Sequence, residues 1–212
     1  MPCLVLASKS PARLTTLRAA GVEPVVDVSH VDEDAVLTAV RARGDLGPAD
    51  AVLALARAKA EEVAARTVDA LVLGCDSMLE IDGEIVGKPG TPELARDRWR
   101  RMRGRSGVLH SGHWIVDRRA ADDGGTAATL GATSSTRVHF ADLDDAEIDA
   151  YVATGEPLEV AGAFTIDGLG GPYVERIEGD PHGVVGVSLP LLRRLLAEVD
   201  VPFRHLRARG PA

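Results

Sequence analysis

Leu71-Val72-Leu73-Gly74-Cys75-Asp76-Ser77-Met78-Leu79 sets one carboxylate inside an otherwise apolar run. Four residues ending at Gly74 read as a buried strand, Asp76 and Ser77 interrupt it, and Met78 and Leu79 resume it. A carboxylate in such a setting is costly unless it is paired, hydrogen-bonded or on a metal. The run continues into Asp82-Gly83, a dipeptide that closes tight hairpins, and then reaches Gly87-Lys88-Pro89. A hairpin here carries Lys88 back along the strand toward the end that bears Asp76. An acid and a lysine at a hairpin mouth suit phosphate-ester chemistry, with or without a divalent ion. The same two residues also fit a strand-end Asp satisfied by backbone amides and a surface Lys.

Outward toward the N-terminus, Cys3-Leu4-Val5-Leu6-Ala7 reads as a second buried strand, broken by Ser8-Lys9-Ser10. Pro11 suits the first helical position with Ser10 as N-cap, and the helix runs through Ala12 to Ala20 until Gly21 stops it. Strand, small polar loop and capped helix leave backbone amides free at a helix start, which favours phosphate. Arg13 lies in that first turn, where the helix dipole disfavours a cation unless an anion binds beside it. Ser8 and Ser10 are equally compatible with a simple cap. Val22 to Val28 reads as a short strand, and Asp32-Glu33-Asp34 follows as a solvated run, a helix start or a metal-facing acid. From Pro48 to Arg66 the apolar positions Leu53, Ala56, Ala60 and Val63 recur at helical spacing. Lys59 on that helix is expected to snorkel to solvent unless a phosphate lies nearby.

Toward the C-terminus, Thr91-Pro92 opens a helix reaching Gly104, with Arg96, Arg98, Arg100, Arg101, Arg103 and Arg105 in or near it. Few aromatics interleave these arginines, so a solvated face is expected rather than a base-stacking surface. Val108 to Asp117 and Ala127 to Phe140 read as antiparallel strands around the Asp122-Asp123-Gly124-Gly125-Thr126 loop. His110 and His113, three apart on a strand, face opposite ways and are not expected to share a metal. Asp144 to Glu147 has the form of a capping box for a helix ending near Gly155. The glycine-rich stretch Leu158 to Gly171 contains Asp167 but no dinucleotide fingerprint. Tyr173 to Ile177 is an expected strand, Gly179-Asp180-Pro181 a turn, Pro190 to Val199 a last helix, and Arg204 to Ala212 a loose basic tail.

The bulk numbers fit one domain with two lobes across residues 1–212. Aromatic residues are only 3% of the chain against 45% apolar overall, so a core of Ala, Val and Leu is expected. The formal charge is −8, from 24 Lys plus Arg against 32 Asp plus Glu, which argues against a duplex DNA binder. Local cations can still govern a pocket for a small anion. Cys3 and Cys75 show no metal-ligand spacing and suit a reduced, cytoplasmic protein. With no charged-then-apolar leader and no membrane-length apolar run, neither secretion nor spanning is expected.

In order along the chain, these pieces resemble the Maf family of nucleoside triphosphate pyrophosphatases, also described as septum-formation inhibitors. The likeness rests on Leu6 to Pro11, Lys59 in Leu55-Ala56-Arg57-Ala58-Lys59, Cys75-Asp76-Ser77, Gly87-Lys88-Pro89, Tyr151 with Thr154 to Pro157, Ala161 to Phe164, Ile177 to Asp180, and Ser188-Leu189-Pro190. The resemblance implies an α/β fold on an elongated mixed sheet flanked by helices, similar to inosine triphosphatases, with two lobes around a cleft that holds the site. It further implies hydrolysis of a nucleoside triphosphate to monophosphate and pyrophosphate, assisted by Mg²⁺ or Mn²⁺, in a homodimer. Asp76 matches the family's general base and, with Glu33, its metal-holding acids. Lys59 and Lys88 match its lysines, Ser8, Ser10 and Arg13 its phosphate-binding loop. Ala12 stands where members often carry a second arginine or a bulky residue. Asp76-Ser77 and Asp167 match neither the dTTP/UTP-cleaving members (Asp-Thr and Gln) nor the 7-methyl-GTP members (Asp-Gln and Glu). A carboxylate accepts two donors from a guanine edge, whereas an amide both donates and accepts, so Asp167 tilts the expected preference toward purine or modified guanine bases. The rival reading from another class is a non-catalytic regulator of cell division that binds a nucleotide or a protein partner.

Overall fold

The computed structural model describes residues 2–42, 44 and 47–207. Among these, seven strands form one open mixed sheet in the order β2-β1-β3-β5-β6-β7, with β4 paired to β3. Contacts divide the chain into two compact units, the first drawn from the described residues of Met1–Asp76, Ser111–Ser134 and Gly186–Ala212, the second from Ser77–His110 and Ser135–Val185.

In the first unit β1 (Leu4–Ala7) is flanked in parallel by β2 (Val25–Val26) and by the start of β3 (Leu71–Ile81), with Leu4 opposite Leu71 and Ala7 opposite Gly74. Parallel strands buried on both faces read as continuous apolar runs, because alternate side chains enter different layers. Leu4, Leu6, Leu71, Leu73 and Cys75 enter one cluster with Leu17, Leu192, Leu195 and Leu196. Val5, Ala7 and Val72 enter the other with Ala60, Val63 and Ala64. Those helical residues belong to α1 (Pro11–Ala19), α7 (Leu189–Ala197) and α3 (Pro48–Ala64), while α2 (Glu33–Arg41) packs on α3. The expected strand over Val22 to Val28 shortens to Val25–Val26. Pro24 lacks the N–H a ladder needs, and Val22 instead forms an isolated bridge to Arg207.

Two glycines set how closely α3 approaches the sheet. A Cβ on Gly74 would sit 2.1 Å from the Ala56 carbonyl oxygen, and one on Gly112 would sit 2.4 Å from that of Val52. Only a residue without a side chain tolerates either approach. Gly112 lies in β5 (Ser106–Asp117), which, like β3 and β6 (Thr129–Phe140), contributes residues to both units.

In the second unit β3 turns at Asp82 and Gly83, both with positive φ (54° and 76°), into β4 (Glu84–Val86), pairing Leu79 with Val86. Two such residues make the turn that matches the right-handed twist of a hairpin. β7 (Val174–Glu178) runs antiparallel to β6, with a bulge between His139 and Phe140. Helices α4 (Pro92–Met102) and α5 (Asp145–Ala153) start on Thr91 and Asp144, whose side chains accept from Leu94 N and Glu147 N. The short helix α6 (Pro181–Val185) follows Asp180, where the sequence suggests only a turn. The core of this unit is built largely of aliphatic residues such as Leu79, Leu109, Val138, Leu143 and Val152, as expected from composition, and it also holds most of the chain's aromatic rings. Trp99, Phe140, Phe164, Tyr151 and Tyr173, five of the chain's seven Trp, Tyr and Phe, meet at centroid distances of 5.0–5.9 Å, mostly edge to face. The Trp99 indole donates to Ala163 O at 2.8 Å. The scarce aromatics are concentrated here, among the Ala, Val and Leu residues that build the cores of both units.

Most arginines in and after α4 find acidic partners within their own unit. Arg96 pairs with Asp149, Arg100 and Arg103 with Asp145, Arg101 with Glu84, and Arg105 with Asp82. Five of the six arginines therefore pair with carboxylates, and Arg98 donates to Gly87 O. No helix among the described residues is long and apolar enough to cross a membrane. Of the expected basic tail, residues 208–212 lie outside the described residues.

Candidate active site

Strand parity puts Asp76 on the same face of β3 as Val72 and Gly74, the face that α3 covers. Lys59 sits three residues after Ala56 and one before Ala60, the two residues that Gly74 admits. The close crossing therefore delivers Lys59 to Asp76, Nζ to Oδ1 at 2.5 Å. A second carboxylate arrives from the first turn of α2, where Glu33 Oε1 lies 2.7 Å from the same Nζ. Asp32 caps that helix through Ala35 N at 3.0 Å, so its side chain is spent on the cap and Glu33 is left to reach the lysine. Lys59 and Asp76 side chains are only 12% and 11% exposed, and Glu33 is 55% exposed. Far from snorkelling, Lys59 is turned inward onto two acids, leaving the trio with one net negative charge.

The loop after β1 closes on the neighbouring residue. Ser8 is buried, and its Oγ accepts from Ser10 N at 3.2 Å and from Arg13 Nη1 at 2.9 Å. Ser10 Oγ accepts from Arg13 N at 3.4 Å, as an N-cap does. The Arg13 guanidinium also donates to the carbonyl oxygen of Cys75 at 2.9 Å, one residue before Asp76, and to Gly186 O at 3.2 Å. Arg13 thus fastens the loop, the middle of β3 and the chain entering α7. Ala12 is half-buried in the first turn of α1, which holds no acidic side chain. The Cys75 thiol is fully buried, and burial pushes its pKa up to about 12 against the opposing pull of Arg13, so it stays protonated. It offers no thiolate nucleophile.

The structure thus brings together Ser8, Ser10, Arg13, Glu33, Lys59 and Asp76 in the first unit. Ser77, Lys88 and Asp167 belong to the second. Ser77 follows Asp76 in β3 and is half-buried. Lys88 is exposed two residues beyond the end of β4. Its loop is fixed at Gly87 O, which accepts from Arg98 and from Gly162 N, and at Gly90 N, which donates to Leu158 O. Asp167 is exposed on the turn Thr165 to Gly170. That turn is organised by a residue the sequence does not single out for a role. Glu156 accepts from the Tyr151 hydroxyl, from Thr165 Oγ1, and from the backbone N–H groups of Leu169 and Gly170. The only signal for it is its place in Thr154-Gly155-Glu156-Pro157.

The two histidines occupy separate settings. His110 lies between Ser135 Oγ (2.8 Å) and Glu80 Oε2 (3.0 Å). His113 faces Ser111 O through Nδ1 at 3.0 Å and accepts from Ser188 N at Nε2. Among the described residues no group of three or more His, Cys, Asp or Glu is arranged to hold a metal ion. Glu33 and Asp76 nevertheless present two hard oxygens to one positive atom. That donor chemistry fits Mg²⁺ or Mn²⁺, which complete their shells with water and phosphate oxygens.

Residues 3–199 match the profile of the family described as Maf-like protein. The chain belongs to the Maf-like family. Relatives are similar over nearly their whole length. A Leifsonia xyli protein is 55% identical over 98% of this chain and 97% of its own. One from Nocardia farcinica is 57% identical over 96% and 95%, and one from Salinispora tropica 59% identical over 98% and 88%. Each of these relatives is named nucleoside triphosphate pyrophosphatase. The fold agrees with the family assignment, an open mixed sheet of seven strands with helices.

Proposed function

We propose that this Maf-like chain is a nucleoside triphosphate pyrophosphatase: water adds to the α-phosphorus, the bond from that phosphorus to the α–β bridging oxygen breaks, and pyrophosphate leaves. The observation that carries the reading is the buried Lys59 joined to Asp76, midway along β3, and to Glu33, beside the Ser8–Arg13 loop. Asp76 serves either as the base that takes the proton from the attacking water or as a holder of the ion that acidifies it. Lys59, and Lys88 on the second unit, offset charge on the polyphosphate as it develops on the leaving group. Ser8, Ser10 and the amides at the start of α1 receive phosphate oxygens, while Arg13 holds that loop against Cys75 O. Ala12 leaves room in that turn where a bulkier residue would contact the substrate.

Glu33 and Asp76 are the residues that would hold the divalent cation, Mg²⁺ or Mn²⁺. When bound, that ion supplies electrostatic stabilisation of the polyphosphate and a more acidic water. Ser77 and Asp167 contribute to base recognition, and Asp167, as an acceptor of two donors, favours purine or modified guanine bases over uracil and thymine. A homodimer working in the cytoplasm completes the reading. The test is product analysis of the purified protein with Mg²⁺ or Mn²⁺ across dTTP, UTP, GTP and 7-methyl-GTP. Pyrophosphate without orthophosphate is expected. Tight nucleotide binding without cleavage under any divalent ion would leave the non-catalytic regulator in its place, and preference for dTTP and UTP would remove the role given to Asp167.

A further inference from the structure

Glu156 lies in the second unit, carries no charge partner among the described residues, and is wrapped by one short turn. Its Oε1 accepts from Thr165 Oγ1 at 2.6 Å, Tyr151 Oη at 2.9 Å and Gly170 N at 3.0 Å, and its Oε2 accepts from Leu169 N at 2.9 Å. The packing leaves no slack. A Cβ on Gly168 would sit 2.4 Å from Glu156 Oε2, and one on Gly170 would sit 2.4 Å from the Tyr151 hydroxyl. Tyr151 in turn is buried against Trp99 and Tyr173, so one end of the network is anchored in the aromatic core. Asp167 sits midway between the two ends that the carboxylate grips, Thr165 and Leu169, and is itself exposed.

We propose that Glu156 is the positioning residue for base selection: its carboxylate holds the Thr165–Gly170 turn in one conformation and so presents Asp167 in a fixed geometry. The inference rests on the reading of Asp167 as a base contact given above. Glu156 does not itself meet the nucleotide. Burial pushes its pKa up, but the hydrogen bonds from Thr165, Leu169, Tyr151 and Gly170 outweigh that and hold it below the usual carboxylate range. An ionised, acceptor-only carboxylate suits four converging donors. An amide in its place turns two N–H groups toward groups that are themselves donors.

The experiment compares wild type, Glu156→Gln, Glu156→Asp, Thr165→Val and Asp167→Ala for kcat and KM on a purine and a pyrimidine triphosphate, with amide exchange followed at Leu169 and Gly170. Thr165→Val removes one donor from the same carboxylate and keeps the test open if Glu156→Gln fails to fold. Glu156→Gln is expected to cut the ratio of kcat/KM between the two bases by about 5–50-fold, mainly through KM, as expected for losing one well-placed polar contact. The Leu169 and Gly170 amides should exchange at least about 10-fold faster. Glu156→Asp, which keeps the charge, should recover part of both effects, and Thr165→Val should show a weaker version of them. If the two amides loosen while base discrimination is unchanged, and Asp167→Ala does abolish it, the role of Glu156 is overturned and the reading of Asp167 survives. If Asp167→Ala leaves discrimination unchanged, that reading fails, and the inference with it.

Discussion

Replacing Gly74 with alanine is a test of the geometry that makes the site. The new methyl group would sit 2.1 Å from Ala56 O, 2.8 Å from Ala60 N and 2.9 Å from Ala60 Cβ, so it meets the α3 backbone rather than a flexible side chain. Restoring ordinary contact at 3.4 Å or more requires α3 to retreat by roughly 1 Å or more, because packed interiors leave no spare volume. Overpacking of this kind costs about 1–3 kcal/mol. For a chain of this length each kcal/mol lowers Tm by about 2–4 °C. The larger effect is on chemistry. Lys59 rides on the displaced turn, so its 2.5 Å contact with Asp76 opens, and a misplacement of about 1 Å can cost on the order of 100-fold in rate. Urea unfolding and pyrophosphate release on the same preparation measure both. A variant with wild-type midpoint and wild-type rate would refute the claim that Gly74 sets the distance between Lys59 and Asp76.

Other outcomes follow from the same contacts. Arg13→Lys keeps the charge but loses the planar fork that reaches Ser8 Oγ, Cys75 O and Gly186 O. Stability should fall by about 1–3 kcal/mol as carbonyls lose their donor, and kcat with it; unchanged melting and turnover would contradict this. Asp117 is fully buried beside Arg119 and also accepts from Thr126 N and Oγ1. Burial pushes its pKa up, but the hydrogen bonds from Arg119 and Thr126 more than offset that and hold the carboxyl below its usual range. Its contribution is therefore complete above about pH 4 and is lost as pH falls through the lower folded-state value. Asp117→Asn should cost about 3–5 kcal/mol at neutral pH by stranding Arg119, and should flatten the acid limb of a stability–pH curve measured by urea unfolding.

What the sequence reveals here is local chemistry. Ser10-Pro11, Thr91-Pro92 and Asp144 all cap the helices that follow them, because cap and first turn are neighbours in the chain. The apolar runs at Leu4 and Leu71 give two parallel strands buried on both faces. What is hidden depends on distant segments. From its helix alone Lys59 reads as bound for solvent unless a phosphate lies nearby, and the close crossing at Gly74, which brings α3 against β3, turns it onto Asp76. Arg13 reads as part of a phosphate-binding loop, and the sequence does not announce the three protein acceptors of its guanidinium, two of them more than 60 residues away. A 3% aromatic content gives no hint that five rings gather in one unit. Glu156 sits in a short motif with nothing to mark it, since its four donors come from a turn 9 to 14 residues on and from a tyrosine in the preceding helix.

The central claim is that the carboxylate of Asp76, held by Lys59 midway along β3, is required for breaking the phosphoanhydride. Asp76→Asn, assayed for pyrophosphate release alongside its thermal melt, tests it most directly. The account predicts a folded protein whose rate falls by roughly 10²–10⁴-fold, the usual contribution of a positioned acid or base. A folded Asp76→Asn protein that releases pyrophosphate at the wild-type rate would contradict it.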